Sequence, residues 1–301
     1  MLKKQIKQIK VKTPDINAFS ISVQGASHIK NNKVCQDYSF YDSYGKKYIA
    51  IVCDGHGGDN YFRSDRGSRF ACESAYYCIK TFLENSHSKL FENGSKSQRD
   101  TMIEQLEKSI IELWNQKIQN DIKQHPFSED ELANVSETAK KKYISGQKVE
   151  SAYGTTLIAA VVTKSFWFGL QIGDGKCVVL QENGEFFQPI PWNDKCFLNT
   201  TTSLCDFDAF NNFRYYYSEN IPVAIYLGSD GIDDSFGNDE ELHSLYKVIS
   251  KSFTDTEFDT AVKELEGYLP RLSKKGSGDD MSIAAIINTK KLKEIFKSSK
   301  E

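Results

Sequence analysis

Four aspartates of this chain lie at the ends of apolar runs and next to glycine. Asp54 directly follows the run 48–53 and opens the motif Asp54-Gly55-His56-Gly57-Gly58. The same arrangement recurs at Asp174, Asp230 and Asp279, beside the apolar runs 166–172, 223–227 and 281–287. An extended segment that is apolar on both faces is typical of a strand buried on both sides, so it would carry its aspartate to the rim of a rigid scaffold. Four such carboxylates are the oxygen ligands that a divalent-metal site would need.

An alternative explanation exists for each aspartate taken singly. Asp-Gly is the strongest short signal for a tight hairpin turn, and one such pair is more often structural than functional. Hairpin turns do not, however, require that the preceding strand be apolar on both faces. Because the same context occurs four times, the set favours a divalent-metal site.

Composition excludes several classes of protein. The chain has 301 residues, of which 39% are hydrophobic and 26% charged, and its net charge is −3. This composition is that of a globular protein. Because the net charge is slightly negative, the protein has no overall positive charge with which to attract nucleic acid or an anionic membrane. The seven cysteines form no CxxC pair, which argues against zinc ligation and a disulfide framework. Without a secretory signal or a bilayer-spanning run, the sequence predicts a cytoplasmic protein, and it leaves the oligomeric state open.

Hydrophobic periodicity predicts one domain over residues 17–289, between a basic leader (1–16) and a solvated basic tail (290–301). A helical excursion is expected over about 86–150, and an irregular, flap-like region over about 187–220. Strands are predicted at 17–24, 38–41, 48–53, 155–162, 166–172, 176–180, 221–227 and 281–287, and helices at 64–83, 102–122, 240–253 and 258–272. The expected fold class is α+β, with a central antiparallel β-sandwich flanked by helices on both faces, in four layers.

In this order along the chain, six motifs resemble the signature of the type-2C metal-dependent serine/threonine protein phosphatases. They are Gln36-Asp37, Asp54-Gly55-His56-Gly57-Gly58, Gly154-Thr155-Thr156, Gly173-Asp174, Ser229-Asp230-Gly231 and Asp279-Asp280-Met281-Ser282. The resemblance covers roughly residues 20–289. Cys35 before Gln36, with Ser27-His28 upstream, looks like a divergent bacterial branch. The family fold is a β-sandwich with helices on both outer faces, in agreement with the strand pattern.

The resemblance implies two or three bound Mn²⁺ or Mg²⁺ ions, which activate a water to attack phosphorus in line. It implies that Asp54 bridges two ions, that the carbonyl of Gly55 completes one of the two sites, and that Asp230 and Asp279 bind the other ion. Asp37 would lie at the edge of the cluster. Asp174 would hold a weaker, additional position that it shares with Asp230.

Two further residues match supporting positions of the family. His56 corresponds to the proposed general acid for the leaving group, a role that suits a side chain titrating near neutrality. A turn histidine that only bonds the backbone is the alternative. Thr156 corresponds to a residue that supports the water network, and a core threonine explains it equally well.

The chain departs from the family pattern at the phosphate site and beside the metals. Gln36 stands where the family has glutamate, so one negative charge is missing. Asn32 stands where the family has a phosphate-binding arginine. The substitutes considered for that cation are Lys33 and Arg63 first, then Lys30, Arg66 and His28.

Three functions are compatible with these residues. The leading one is hydrolysis of phosphoserine and phosphothreonine on a protein substrate, with neither nucleic acid nor membrane as partner. The second is a catalytically weak pseudophosphatase that binds phosphoproteins or regulates a partner. The third is a two-metal phosphodiesterase or nuclease, which the lack of a basic patch disfavours.

Overall fold

The computed structural model describes residues 15–84, 87–197 and 200–298. Two antiparallel five-stranded sheets form its centre, ordered β1-β10-β9-β6-β7 and β2-β3-β4-β5-β8. Their strands are β1 Ile16–Val23, β2 Tyr38–Tyr44, β3 Lys47–Cys53, β4 Leu157–Val162, β5 Trp167–Ile172, β6 Lys176–Leu180, β7 Phe186–Phe187, β8 Arg214–Ser218, β9 Ala224–Gly228 and β10 Met281–Asn288.

The helices of the described residues are α1 Ala26–Lys30, α2 Ser64–Glu84, α3 His87–Asn93, α4 Lys96–Gln124, α5 Glu137–Ile144, α6 Ala209–Asn212, α7 Asp230–Asp233, α8 Asp239–Asp255, α9 Phe258–Lys275 and α10 Thr289–Ser298. Of these, α2 and α4 cover the outer face of one sheet, and α8, α9 and α10 cover that of the other. α4 begins six residues earlier than its apolar periodicity predicts. Ser95 and Gln98 form a capping box there, and such a box satisfies backbone N–H groups that the first turn leaves unpaired.

Successive residues of the central strands alternate between two cores. In β3, Ile49 and Ile51 pack with α2 and α4, whereas Ala50 and Val52 face the other sheet. β10 behaves in the same way toward α8, α9 and α10, with Ile286 facing between the sheets. This alternation explains why the strands are apolar on both faces, and it confirms the predicted α+β, four-layer sandwich.

Two predictions about irregular segments are wrong in part, because each segment contains a regular element that was not predicted, although most of 187–220 is irregular as expected. The segment predicted as a solvated C-terminal tail begins with helix α10, whose Leu292 is fully buried in the core beneath α8. The segment 187–220, predicted as irregular, contains α6 and the edge strand β8. Three successive tyrosines within β8 hide the usual polar–apolar alternation, and pairing with β5 determines the strand. Most of the predicted leader, residues 1–14, lies outside the described residues, and β1 begins at Ile16.

None of the helices within the described ranges combines the length and the apolar character that crossing a membrane requires.

Candidate metal centre and active site

A cavity of about 760 Å³ opens where β3, β5, β9 and β10 approach one edge of the sandwich. Its most prominent lining residues are seven aspartates: Asp54, Asp174, Asp206, Asp230, Asp233, Asp234 and Asp279. None of the described residues that line it is a lysine or an arginine. The four aspartates predicted from the strand ends therefore meet in one place, and the surroundings are strongly acidic.

Backbone contacts with the start of β4 hold Asp54 in position. The Thr156 N–H donates to the Asp54 carbonyl at 2.8 Å, and Asp54 N–H donates to Thr156 Oγ1 at 3.2 Å. Thr156 thus supports the backbone of Asp54 and does not itself line the cavity. At the next position only glycine fits, because a Cβ on Gly55 would lie 2.7 Å from the Ser64 carbonyl oxygen.

The carboxyl groups of the cavity raise one another's pKa. Burial raises the pKa of Asp54 well above its usual range, and the negative charges of Asp230 and Asp37 add to this effect. Burial also raises the pKa of Asp230 to about 6, with contributions from Asp174 and Asp279. Clustered buried carboxylates are costly unless a cation neutralises them.

Three buried oxygen acceptors at this edge have no hydrogen-bond partner within the described parts of the chain. They are Asp37 Oδ2, Gln36 Oε1 and Asp233 Oδ1. Asp37 is almost fully buried and is not among the lining residues, whereas Gln36 lines the cavity. Burial raises the pKa of Asp37, and the charges of Asp280 and Asp230 add to this effect. Unpaired acceptors beside mutually repelling carboxylates are a donor set that suits a hard divalent cation.

His28, Asp279 and Asp280 form a small cluster next to the cavity, and one ligand atom from each lies within 4.8 Å of the others. His28 Nδ1 lies 2.9 Å from Asp280 Oδ2, and Nε2 lies 3.6 Å from Asp279 Oδ1. Asp280 also accepts the backbone N–H groups of Gly25 and Gln36, each at 2.6 Å. His28 therefore contacts two carboxylates and does not line the cavity. It is not placed to bind phosphate there, as had been considered from the sequence. The sequence motif contained Asp280 but indicated no role for it.

The imidazole of His56 is enclosed by neighbouring chain segments. Its backbone N–H donates to the Gly154 carbonyl at 3.0 Å, and its Nε2 lies 2.7 Å from Ser203 Oγ. The ring packs edge-to-face on Tyr61 with 5.0 Å between centroids. Burial lowers the pKa of His56 to about 4, so the imidazole is neutral at neutral pH in the metal-free chain.

The structure does not bring the predicted phosphate-binding cations to the cavity. Lys33 is exposed on the loop after α1. Arg63 is only 3% exposed, and its guanidinium donates to Glu131, Asp121 and Tyr153 as well as to two backbone carbonyls. The N–H groups of Arg63 are therefore already bonded within the fold, and the prediction that Arg63 binds phosphate is wrong. Arg66 is likewise ion-paired with Asp121, at 3.0 Å.

The segment predicted as a flap supplies one wall of the cavity. Its lining residues are Trp192, Cys196, Phe197, Thr200, Thr201, Ser203, Cys205 and Asp206. The Gly173 N–H donates to Thr202 Oγ1 at 3.0 Å, and Arg214 donates to the carbonyls of Gly173 and Pro191. These contacts attach the segment to the turn that carries Asp174. Sequence reasoning described this segment as flap-like but singled out none of its cavity-lining residues.

Asp233 and Asp234 were also missed. One turn of α7 places them near Asp230, because residues three and four positions apart share a helix face. Asp233 pairs with Lys176 at 3.3 Å, yet burial raises its pKa to about 8. The run Asp230-Gly231-Ile232-Asp233-Asp234 was the available signal for this acidic extension.

The model of the protein phosphatase 2C family matches residues 24–269, so the chain belongs to this family. Its fold is similar to that of a bacterial serine phosphatase, which is 15% identical over 90% of this chain and 97% of its own, with a TM-score of 0.54. The catalytic domain of the serine/threonine phosphatase PstP, in complex with two manganese ions, is 14% identical over 90% and 97%, with a TM-score of 0.52. Stp1 from Staphylococcus aureus is 14% identical over 90% and 94%, with a TM-score of 0.55. Comparison with curated protein sequences gives no significant match.

Proposed function

We propose that this protein hydrolyses phosphoserine and phosphothreonine monoesters on proteins in a reaction that depends on divalent metal ions. The observation that carries the proposal is the meeting of Asp54, Asp174, Asp230 and Asp279 in one cavity. Membership of the protein phosphatase 2C family and the similarity to bacterial serine/threonine phosphatases support it.

Six residues would hold two or three Mn²⁺ or Mg²⁺ ions. We assign Asp54, the carbonyl of Gly55, Asp230 and Asp279 to two ions, Asp174 with Asp230 to a third, and Asp37 to the edge of the cluster. The two manganese ions of the similar PstP domain support the binding of at least two ions. Bound divalent ions would lower the pKa of a water molecule and neutralise the charge of the transferring phosphoryl group.

The chain's own residues would orient the ester and surround it. Thr156 keeps the Asp54 backbone fixed through two hydrogen bonds. The flap-like segment, with Trp192 and Phe197 on the cavity wall, would exclude solvent from the seryl or threonyl side of the ester. His56, which lines the same cavity, would face the oxygen that leaves phosphorus.

The test is hydrolysis of p-nitrophenyl phosphate and of a phosphothreonine peptide, titrated with Mn²⁺. We expect turnover that requires the metal and is lost in both Asp54→Asn and Asp230→Asn. Asp130→Asn, an exposed site outside the cavity, is the matched control and should retain full activity. Metal-independent turnover, or turnover that survives both cavity substitutions, would contradict the proposal.

A second candidate function is phosphoprotein binding without turnover. The observation that favours it is the lack of lysine and arginine among the described lining residues, together with Asn32 at the family's arginine position. In this case Mn²⁺ would still raise the melting temperature while hydrolysis of both substrates stayed at background. Measuring binding of the phosphothreonine peptide to the manganese-loaded protein would then test the alternative directly.

The third possibility, a two-metal phosphodiesterase, has less support. A polyanionic backbone needs cations along its path, and the cavity is lined by seven aspartates. Hydrolysis of bis(p-nitrophenyl) phosphate without hydrolysis of the monoester would favour this activity over the proposed one.

A further inference from the structure

A second cavity, of about 720 Å³, lies between α4, α6 and β8, on the helix-covered face of the sheet that ends in β8. No described residue lines both this cavity and the aspartate-lined one. Four aromatic residues contribute to its wall: Phe210, Phe213, Tyr215 and Tyr217. A cavity of this size and character suits a small organic ligand or an inserted side chain.

Glu107 lines this second cavity from α4 and has no partner there. The residue is 5% exposed, and within the described ranges neither a hydrogen bond nor an ion pair reaches its carboxyl group. The adjacent Lys108 extends over the ring of Phe210, with its ammonium 4.3 Å from the ring centroid. Burial raises the pKa of Glu107 to about 8, the charge of Glu104 adds to this effect, and that of Lys108 opposes it. A buried carboxylate is costly without a donor, and a ligand with N–H groups would supply one.

The donors closest to this carboxyl group along the cavity wall are used elsewhere. The Tyr215 hydroxyl donates its single proton to Asp100 Oδ1. The Arg99 guanidinium lies 4.3 Å from the centroid of the Tyr217 ring and donates to the Gly94 carbonyl. The chain itself therefore leaves the carboxyl group without a donor.

The charges of the lining residues leave room for one positive charge. The charged residues of the wall all belong to α4 and are Lys96, Arg99, Asp100, Glu104 and Glu107. Two cations face three carboxyl groups, so the net charge is −1 when Glu107 is ionised. Lys96 and Arg99 precede Glu107 by eleven and eight positions, or roughly 16 and 12 Å along the helix axis, which is too far for either to neutralise it. Of the aromatic rings, those of Phe213 and Tyr215 carry no cation from the described part of the chain, and the face of such a ring attracts one.

We propose that this cavity is a binding site for a primary ammonium group on an apolar stem, with Glu107 as its anionic partner. The ammonium donates to the Glu107 carboxylate in a charge-assisted hydrogen bond, and the stem packs against the rings of Phe213 and Tyr215. The ammonium is carried either by a free arylalkylamine or by a lysine side chain of another protein. The site is independent of phosphatase activity.

Binding has a proton balance that identifies the site. The carboxyl group of Glu107 is largely protonated in the empty cavity at pH 7, whereas the bound ammonium requires the carboxylate. Each binding event therefore releases about one proton to the solvent. Phe210 and Phe213 belong to the flap-like segment, so a bound ligand would also contact the segment that forms one wall of the aspartate-lined cavity.

The first test is isothermal titration calorimetry of the full chain with two probes, phenethylamine and Nα-acetyl-lysine amide. We expect at least one to bind the wild type, and to bind Glu107→Gln about 10-fold or more weakly, because the amide offers no negative charge. The uncharged counterparts, 2-phenylethanol and the Nε-acetylated lysine probe, should bind the wild type at least about 10-fold more weakly than the amines. Glu129→Gln, at an exposed loop position, is the matched control and should bind like the wild type. Which amine binds more tightly distinguishes the two sources of the ammonium.

The second test measures the proton that binding releases. Titrations in buffers of different ionisation enthalpy should give about one proton released per bound amine at pH 7, and the affinity of the wild type should rise between about pH 6 and about pH 8.5. Both effects should be absent in Glu107→Gln. Equal affinity of wild type and Glu107→Gln would place the amine elsewhere, for example among the seven aspartates of the other cavity, and would overturn the proposal. Failure of both amines to bind the wild type would overturn it as well.

Discussion

Gln36 Nε2 lies 2.6 Å from Ser64 Oγ and 3.1 Å from the carbonyl oxygen of His56. The amide of Gln36 thus joins the first residue of α2 to the loop that carries the candidate metal ligands. The family has glutamate at this position, and a carboxylate has no hydrogen to donate to a carbonyl oxygen. Glutamine therefore makes a hydrogen bond to the His56 carbonyl that glutamate could not make. The difference between the two residues at this position is thus not only the missing charge.

Gln36→Glu should destabilise the metal-free protein. The substitution leaves the His56 carbonyl without this donor and adds a negative charge to the aspartate-lined cavity, so we expect a loss of about 1–3 kcal/mol. Urea unfolding in the presence of a chelator measures the change. Gln105→Glu, which introduces the same charge at an exposed site of α4, should stay within about 0.5 kcal/mol of the wild type. A more stable Gln36→Glu protein would show that the amide contacts contribute nothing.

Asp54→Asn should have opposite effects on stability without and with metal. Without metal it removes a carboxylate whose pKa burial and its neighbours raise, so the melting temperature should rise by about 2–4 °C. With Mn²⁺ at about 100 times its Kd, the wild type should gain about 2.7 kcal/mol, and the variant should lose most of that gain.

Thermal melts with chelator and with Mn²⁺ separate the two effects on Asp54→Asn. Asp130→Asn serves as the control and should follow the wild type in both conditions. Equal stabilisation of Asp54→Asn and wild type by Mn²⁺ would show that Asp54 does not hold the ion.

Arg63→Ala should lower the free energy of unfolding and should have no specific effect on the affinity for phosphate. The buried guanidinium pairs with Glu131 at 2.7 Å and with Asp121 at 3.4 Å, and its removal leaves these charges partly uncompensated. We expect a loss of about 3–5 kcal/mol in urea unfolding. Arg66→Ala, at a 40% exposed side chain, should cost less than about 1 kcal/mol. A raised KM for the phosphopeptide in a fully stable Arg63→Ala protein would restore its assignment as a phosphate ligand.

Glu107 should make the stability fall as the pH rises. Burial raises its pKa from 4.5 to about 8, so between these values the folded chain binds a proton that the unfolded chain has released. Stability that is complete below about pH 4.5 is therefore lost progressively toward pH 8.

Glu107→Gln should remove this loss, because a neutral amide replaces the carboxyl group. The variant should exceed the wild type by on the order of 3 kcal/mol at pH 7.5 and match it near pH 4.5. Urea midpoints across this pH range provide the measurement, and Glu129→Gln, at an exposed loop position, is the control with no expected pH trend. Parallel pH profiles for wild type and Glu107→Gln would mean that this carboxyl is ionised in the folded chain.

Local sequence patterns predicted most of the sandwich because they depend on neighbouring residues alone. A strand such as β4 is fully buried along its length, so apolar character on both faces identifies it without knowledge of its partner. β8 and α10 escaped prediction for the opposite reason. Pairing of β8 with β5, and burial of Leu292 beneath α8, are contacts between distant segments.

The candidate site divides in the same way. The sequence by itself determined that Asp54, Asp174, Asp230 and Asp279 stand at strand ends, because the apolar runs and the adjacent glycines are local features. Only the tertiary structure decided which side chains complete their surroundings. It placed Arg63 within a buried ion network, and it brought Ser203 to His56 across 147 residues. Hydrogen bonds and ion pairs depend on distances of a few ångströms between remote segments, and no periodicity of the sequence encodes those distances.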